Sequence, residues 1–140
     1  MKTPRRFWLE VALVFLVRTA YAGLVHGPLL LTPLVYARFP PVMNPTMNLP
    51  ALLAVEALVS TLFVGAYAAR FGSRRPSALG AAGFGLLFGV AVYVPQNLLN
   101  LILLAPVHVP LAAAWMGAGV TGCVFSGMTC WAVERPAGAD

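Results

Sequence analysis

Charged residues are scarce in this sequence of 140 residues, and acidic residues are the scarcest. Four Asp and Glu together with nine Lys and Arg make up only 9% of the chain, whereas a soluble domain carries about a quarter. Apolar residues make up 60%, and the mean hydropathy is +0.84. So little polar surface cannot cover a water-soluble fold, which excludes a soluble enzyme, a disordered tail and a nucleic-acid-binding domain.

The sequence also lacks the alternation of apolar and polar residues that is typical of membrane strands. It contains instead four long apolar runs, at about residues 7–27, 51–69, 78–104 and 110–133. Each run is long enough to cross the hydrocarbon core as an α-helix. We therefore predict an all-α, polytopic membrane protein, folded over residues 1–140 as one bundle of four transmembrane helices.

The basic residues predict how the helices are oriented. Seven of the nine lie before the first run, between the second and third runs, or after the fourth run. Their positions are Lys2, Arg5, Arg6, Arg70, Arg74, Arg75 and Arg135. Only Arg38 would lie on the opposite side, because Arg18 falls inside the first helix. The positive-inside rule then places both termini in the cytoplasm, and we predict a location in the bacterial inner (cytoplasmic) membrane. The net charge of +5 thus reflects topology rather than nucleic-acid binding.

The first run also resembles a cleavable secretory signal. Basic residues precede an apolar stretch at residues 9–17, and Ala20-Tyr21-Ala22 could form a cleavage site. Arg18 interrupts that apolar region, however, and the run continues beyond Ala22. We predict that the helix is retained.

Polar residues within the predicted helices are the candidates for a site, because such groups are costly in a membrane. Most fall in the half of the bundle that faces away from the cytoplasm. They are Arg18, Tyr21, Glu56, Tyr93, Gln96, Asn97 and Asn100. One interpretation is an Arg18–Glu56 ion pair, with amides that hold the helices together. The other is a pocket that opens outward and binds a lipid headgroup, quinone, pigment or small solute. Glu10, one turn after Arg6, is expected to form a surface ion pair that contributes little.

Two histidines, His26 and His108, are predicted near the outer edge. At one depth they could ligate haem or a metal, and one alone could ligate a pigment; solvated or capping roles are the alternative. The sequence has no Cys-x-x-Cys-His motif, which excludes covalent c-type haem, and its residue spacing predicts no metal site. It also has no nucleophile–base pair, phosphate-binding loop or paired carboxylates. We therefore predict a protein that is not an enzyme.

Small residues in the third and fourth helices predict close packing. Gly85 and Gly89 form a GxxxG pair, and Ala118, Gly122 and Ser126 follow at four-residue spacing. These residues would join the two helices to each other or form an interface between subunits, including copies of this chain. Cys123 and Cys130 lie roughly 10.5 Å apart along the helix axis, too far for a disulfide. Both are predicted to be packing residues, and Trp115 is predicted to be an anchor at the membrane surface.

The segment Tyr93-Val94-Pro95-Gln96-Asn97, followed by Trp115, resembles small four-helix bacterial membrane proteins grouped as domains of unknown function. In those families the third helix reads Tyr-Asp-Leu-Thr-Asn and the fourth begins Asp-x-x-Trp-Gly, so that Val94 and Ala112 replace two acids here. The end of the first helix, His26-Gly27-Pro28-Leu29-Leu30, is similar to their Tyr-x-Pro-Leu turn. The resemblance implies a four-helix fold and no activity.

Three functions follow as hypotheses. The first is a small accessory or assembly subunit of a larger membrane complex, in contact with other membrane proteins and able to bind lipid or pigment. The second is a small dimeric transporter that moves a solute past Arg18 and Glu56. The third is an electron-transfer or light-harvesting subunit that binds haem or pigment through His26 or His108.

Overall fold

The residues that the structure describes form four long helices and one short π-helix. A computed structural model describes residues 3–26, 31–38, 48–72, 74–103 and 107–134. The long helices are α1 (Pro4–His26), α2 (Leu49–Phe71), α3 (Ala78–Leu103) and α4 (Val109–Val133), and the π-helix is Thr32–Tyr36. Each long helix is apolar and long enough to cross a membrane. The prediction of an all-α bundle with four transmembrane helices is confirmed.

Local sequence signals explain where the helices begin and end. The Asn48 side chain accepts a hydrogen bond from the Ala51 amide at 3.1 Å and caps α2. Gly72 ends α2 with a φ of 57°, a backbone conformation that glycine adopts without strain. The Ser77 hydroxyl accepts a hydrogen bond from the Gly80 amide at 3.0 Å and caps α3. Each helix boundary consequently lies within three residues of its predicted position.

Some predicted features fall outside the described residues. Lys2 and Arg135, two of the basic residues used to predict the orientation, are among them. Residues 27–30, which carry part of the resemblance to four-helix membrane proteins, also lie outside the described ranges.

Helices α3 and α4 touch through their backbones. A Cβ atom added to Gly85 would lie 2.8 Å from the Val124 Cα, and one added to Gly89 would lie 2.8 Å from the Val120 Cα. Gly127 likewise lies directly against the Ala81 carbonyl group. Larger side chains at these positions would separate the helices, and close contact adds dispersion energy where no hydrophobic effect operates between helices. Gly85 and Gly89 therefore occupy the packing positions that the GxxxG pattern predicts.

The predicted row of small residues on α4, namely Ala118, Gly122 and Ser126, does not pack only against α3. Gly122 faces the Tyr21 ring of α1, to which an added Cβ would lie at 3.3 Å, and not α3. Ser126 is buried, and its hydroxyl donates a hydrogen bond to the Gly122 carbonyl at 2.8 Å; Ala118 is also buried. Four-residue steps exceed the 3.6-residue turn, so such a row winds around its helix. The predicted row therefore does not face α3 along its whole length.

Helices α2 and α3 meet through aromatic side chains. Phe63 of α2 lies in the core, with its ring centroid 5.4 Å from that of Phe84 and 5.0 Å from that of Phe88, both edge-on. Tyr67 is also buried and contacts Phe84 in the same geometry at 5.4 Å. Edge-to-face pairs of this kind contribute about 0.5–1.5 kcal/mol each beyond burial. Aromatic side chains thus join α2 to α3, whereas α3 and α4 are in contact through their backbones.

The outward-facing surface of the bundle is apolar. Leu79, Leu87 and Ile102 are between 72% and 83% exposed, and many other large apolar side chains also face outward. Such a surface is unfavourable in water and suits a lipid environment, in which lipid tails are as apolar as leucine. The chain is thus an integral membrane protein.

Candidate functional site: a polar cavity in the outer half of the bundle

The candidate site lies at the end of the bundle where α1 and α3 end and α2 and α4 begin. The positive-inside rule predicts that this end faces away from the cytoplasm, and we call it the outer half. Because consecutive helices run in opposite directions, polar residues late in α1 and α3 come to the same depth as those early in α2 and α4. This geometry brings together residues that are far apart in the sequence.

Arg18 connects all four long helices. Its guanidinium donates hydrogen bonds to Glu56 Oε2 of α2 at 3.0 Å, to the Tyr93 hydroxyl of α3 at 2.6 Å and to Cys123 Sγ of α4 at 3.4 Å. The Arg18 residue is only 5% exposed, so these partners replace the water that its charge has lost. The predicted Arg18–Glu56 ion pair is confirmed. Cys123 is a buried free thiol, and its contact with Arg18 was not predicted.

A cavity of about 240 Å³ opens beside Arg18. Its lining combines polar side chains from all four long helices with small residues of α1 and α4. The lining residues are Arg18, Tyr21, Ala22, His26, Glu56, Tyr93, Gln96, Asn97, Asn100, Trp115, Ala118, Gly119 and Gly122. The structure thus brings all seven residues of the predicted polar pocket into one lining.

The amide residues of α3 form one side of the cavity. The Asn97 amide donates to the Tyr93 carbonyl at 2.9 Å, and the Asn100 amide lies 3.5 Å from the Asn97 side-chain oxygen. Within the described part of the chain, the Gln96 amide makes no hydrogen bond. Gln96 and Asn100 are one helical turn apart and adjacent on the helix surface. Their donors and acceptors are available to a molecule in the cavity.

Tyr36 of the π-helix contacts two residues of the cavity lining. Its hydroxyl lies 2.6 Å from His26 Nδ1 and accepts a hydrogen bond from the Trp115 indole at 2.9 Å. Burial raises the pKa of Tyr36, so the hydroxyl stays neutral. The structure places Trp115, predicted only as a membrane anchor, in the lining. Tyr36, which the sequence did not mark as a site residue, contacts the lining at His26 and Trp115.

The two candidate cofactor ligands lie in different environments. His26 lines the cavity, whereas His108 is an exposed residue at the start of α4 and is not part of the lining. The structure thus does not bring the two imidazoles into one cavity. Among the described residues, no group of three or more His, Cys, Asp or Glu side chains could hold a metal ion.

Gly119 makes room for the Tyr93 ring. A Cβ atom added at this position of α4 would overlap the ring and lie 2.7 Å from Tyr93 Cε1. The neighbouring Gly117, by contrast, has nothing within 4 Å of an added Cβ. Gly119 thereby allows Tyr93 to reach Arg18, a role that the sequence pattern did not reveal.

The predicted ion pair of Glu10 with Arg6, in the inner half, is confirmed, but the prediction that it lies at the surface is wrong. The ion pair exists, with Arg6 Nε 3.5 Å from Glu10 Oε1, but the Glu10 side chain is fully buried rather than at the surface. Arg6 also donates to the Val133 carbonyl of α4 at 3.2 Å. The ion-pair partner of Glu10 thereby reaches the end of α4. Helix packing, which a spacing of four residues cannot predict, decided its burial.

The outer cavity can hold and orient a small molecule. It provides amide, phenol, imidazole and indole groups around an ion pair, and apolar helix surface surrounds it. No protein-family model, curated protein or solved structure matches this chain.

Proposed function

We propose that this membrane protein is a small, non-enzymatic accessory or assembly subunit of a larger membrane complex. In this function it holds a lipid- or pigment-like amphipathic molecule in the outer cavity. The observation that carries the proposal is the cavity itself, about 240 Å³ in volume and lined by polar groups from all four long helices. Polar groups are retained in a membrane when they have partners, and here part of the lining faces open space.

The cavity lining supports ligand binding over a purely structural role. If the polar residues only held the helices together, each would be expected to bond to another helix. Arg18 does so, but Gln96 has no such bond and Asn100 has only a long contact on its own helix. A bound molecule would supply the missing partners.

The exposed face of α4 supports a protein partner. Ala113, Gly117 and Thr121 are all exposed and follow one another at four-residue spacing. Small residues in this pattern allow another transmembrane helix to approach closely. The partner is a different membrane protein in the proposed complex, and a second copy of this chain is the alternative.

The two other hypotheses receive less support from the geometry. Arg18 is bonded to three helices besides its own, which suits a fixed position better than a site that rearranges during transport. His26 shares its Nδ1 with Tyr36, and His108 lies outside the lining, so a haem held between two histidines is not favoured.

We also propose that the chain belongs to the small four-helix membrane proteins that it resembles. The three residues that carry the resemblance in α3 and α4, namely Tyr93, Asn97 and Trp115, all line the outer cavity. The proposal expects the corresponding three residues of such a protein to line one cavity. A structure in which they face lipid would contradict it.

The test is native mass spectrometry of the protein released from its own membrane. We expect masses above that of the protomer, with other polypeptides present and a small adduct on this chain. Gly117→Leu should remove the polypeptides and keep the adduct, whereas Gln96→Leu should weaken the adduct and keep the polypeptides. Leu87→Ala, on the exposed side of α3 in the inner half, is the control. A bare protomer without an adduct would contradict the proposal, as would unchanged assembly of the complex in a deletion strain.

A further inference from the structure

The charges in the outer cavity are already neutralised within the protein. All three guanidinium nitrogens of Arg18 are engaged, by the carboxylate of Glu56, the hydroxyl of Tyr93 and the thiol of Cys123. Arg18 is the only Lys or Arg among the cavity-lining residues, and Glu56 is the only Asp or Glu. The described lining therefore contains no Lys, Arg, Asp or Glu charge without a partner, and its His26 imidazole lies 2.6 Å from the Tyr36 hydroxyl.

This neutrality disfavours an anionic ligand. A phosphate group would have to take Arg18 away from Glu56, and it would then lie close to the carboxylate that remains. Arg38 is the described basic residue nearest in sequence to Tyr36, but it is exposed in the turn after the π-helix and does not line the cavity. An anionic headgroup thus finds no available cation among the lining residues.

The groups that are available suit an uncharged ligand rich in oxygen. Gln96 and Asn100 each present an amide, which offers N–H donors and a carbonyl acceptor. Because they lie one turn apart on α3, the two amides can reach neighbouring oxygen atoms of a single ring. Gln96 is exposed and Asn100 is half-buried, so a ligand can reach both amides. Amides without partners are unfavourable in an apolar environment, and a ligand that satisfies them gains affinity.

The size and surroundings of the cavity limit the ligand further. About 240 Å³ corresponds to the volume of on the order of eight water molecules, enough for one six-membered ring with substituents. Leu99, Ile102 and Leu103 are exposed on the same end of α3. A ring in the cavity could therefore continue into an apolar tail that lies along α3 in the lipid.

We propose that the cavity binds the uncharged headgroup of a membrane amphipath, a six-membered ring with neighbouring hydroxyl, carbonyl or ether oxygens, through Gln96 and Asn100. A sugar headgroup and a quinone share this chemistry. The inference rests on the proposed function, since it names the class of molecule that the outer cavity holds. It adds that anionic headgroups are rejected, because Arg18 is committed to Glu56.

The experiment measures the thermal unfolding midpoint of the full chain in phosphatidylcholine nanodiscs, which contain no sugar detergent. Three additives are titrated separately: monoglucosyl diacylglycerol, decylubiquinone and phosphatidic acid. We expect one or both uncharged additives to raise the midpoint, with apparent affinity about tenfold or more above that of phosphatidic acid, a difference of roughly 1.4 kcal/mol. The additive that raises the midpoint identifies the sugar or the quinone as the source.

Variants test which residues bind the headgroup. Gln96→Leu should weaken binding of the uncharged additive by roughly two- to tenfold, the effect of one hydrogen bond, and Gln96→Leu/Asn100→Leu should weaken it further. Gln96 makes no bond within the described chain, so the unfolding midpoint without additive should remain close to that of the wild type. Leu87→Ala, an exposed change in the inner half of α3, and Arg38→Gln should bind like the wild type.

Four outcomes would overturn the inference in different ways. Tighter binding of phosphatidic acid, lost in Arg38→Gln, would refute the uncharged class and leave the ligand-binding function intact. Binding of the uncharged additives that Gln96→Leu/Asn100→Leu does not alter would refute the role of the two amides. If the native protein carries an adduct but no additive binds, the headgroup class is wrong; if it carries none, ligand binding as a function fails too.

Discussion

The outer and inner halves of the bundle both contain buried polar residues but arrange them differently. In the outer half, Arg18 links the helices through its side chain, and a cavity lies beside it. In the inner half, Gly85 and Gly127 bring the backbones of α3 and α4 into contact, and Glu10 and Tyr67 are fully buried. Polar residues alone therefore do not create a site. The separation between the helices decides whether the polar groups line open space or pack together.

The largest effect on the free energy of unfolding is expected when the Arg18–Glu56 ion pair of the outer half is broken. Arg18→Met leaves the Glu56 carboxylate without its buried partner and should lower the free energy of unfolding by about 3 kcal/mol, the lower end of the range for buried pairs, because Glu56 is one-fifth exposed. Unfolding in mixed micelles with increasing dodecyl sulfate, followed by circular dichroism, measures the loss.

Two further variants distinguish the loss of the Arg18–Glu56 ion pair from other causes of destabilisation. Arg18→Met/Glu56→Gln should recover part of the loss, because it removes the unpaired charge. Arg38→Met, at an exposed position, should change the free energy of unfolding by less than about 0.5 kcal/mol. Equal losses in Arg18→Met and in the double variant would show that the ion pair does not hold the outer half together.

The next effect concerns the backbone contact of the inner half. Gly85→Ala places a methyl group 2.8 Å from the Val124 Cα, where neither backbone can move without separating the helices. We expect a loss of about 2–3 kcal/mol, typical of overpacking. Gly83→Ala is the matched control, because an added Cβ there meets nothing within 4 Å. The control should be neutral or gain up to about 1 kcal/mol in helix propensity, and a similar loss in both variants would contradict the contact.

A smaller effect is expected for the corresponding change in the outer half. Gly119→Ala pushes against the Tyr93 ring rather than against a backbone, so the ring can move towards the cavity. We expect a loss of about 1–2 kcal/mol, together with weaker binding of any cavity ligand. Gly117→Ala should change neither property in the isolated protein. If Gly119→Ala proves as damaging as Gly85→Ala, the outer half is packed as rigidly as the inner half.

The smallest effect on the free energy of unfolding is expected when one hydroxyl is removed at the outer edge of the bundle. Tyr36→Phe deletes the group that joins His26 to Trp115, with a loss of about 0.5–1.5 kcal/mol, typical of hydrogen bonds. With Trp8 and Trp131 replaced by Phe, the remaining emission reports on Trp115 and should change in wavelength. Leu34→Ala, an exposed change in the same π-helix, should leave the emission unaltered. An unchanged spectrum in Tyr36→Phe would show that Tyr36 does not contact Trp115.

Prediction from the sequence succeeded where a residue's role follows from its depth in the membrane. Arg18 and Glu56 had to find partners in an apolar environment, and each is the other's partner. The same spacing argument failed for the burial of Glu10, because burial depends on how the helices pack and not on the distance to Arg6 along α1. Tyr36 and Gly119 were missed for a related reason: neither is unusual in composition or spacing, and each matters only through its contact with Trp115 or Tyr93.

The sequence by itself determined the four helices, their boundaries and the presence of polar residues late in α1 and α3 and early in α2. Long apolar runs, capping residues and prolines act over a few neighbouring residues, so these features need no knowledge of the fold. Only the tertiary structure decided that Gly122 faces α1, that Glu10 is buried and that the outer polar residues surround a cavity. Those outcomes depend on how the helices are rotated and how closely they approach each other. Side chains that are far apart in the sequence determine both together.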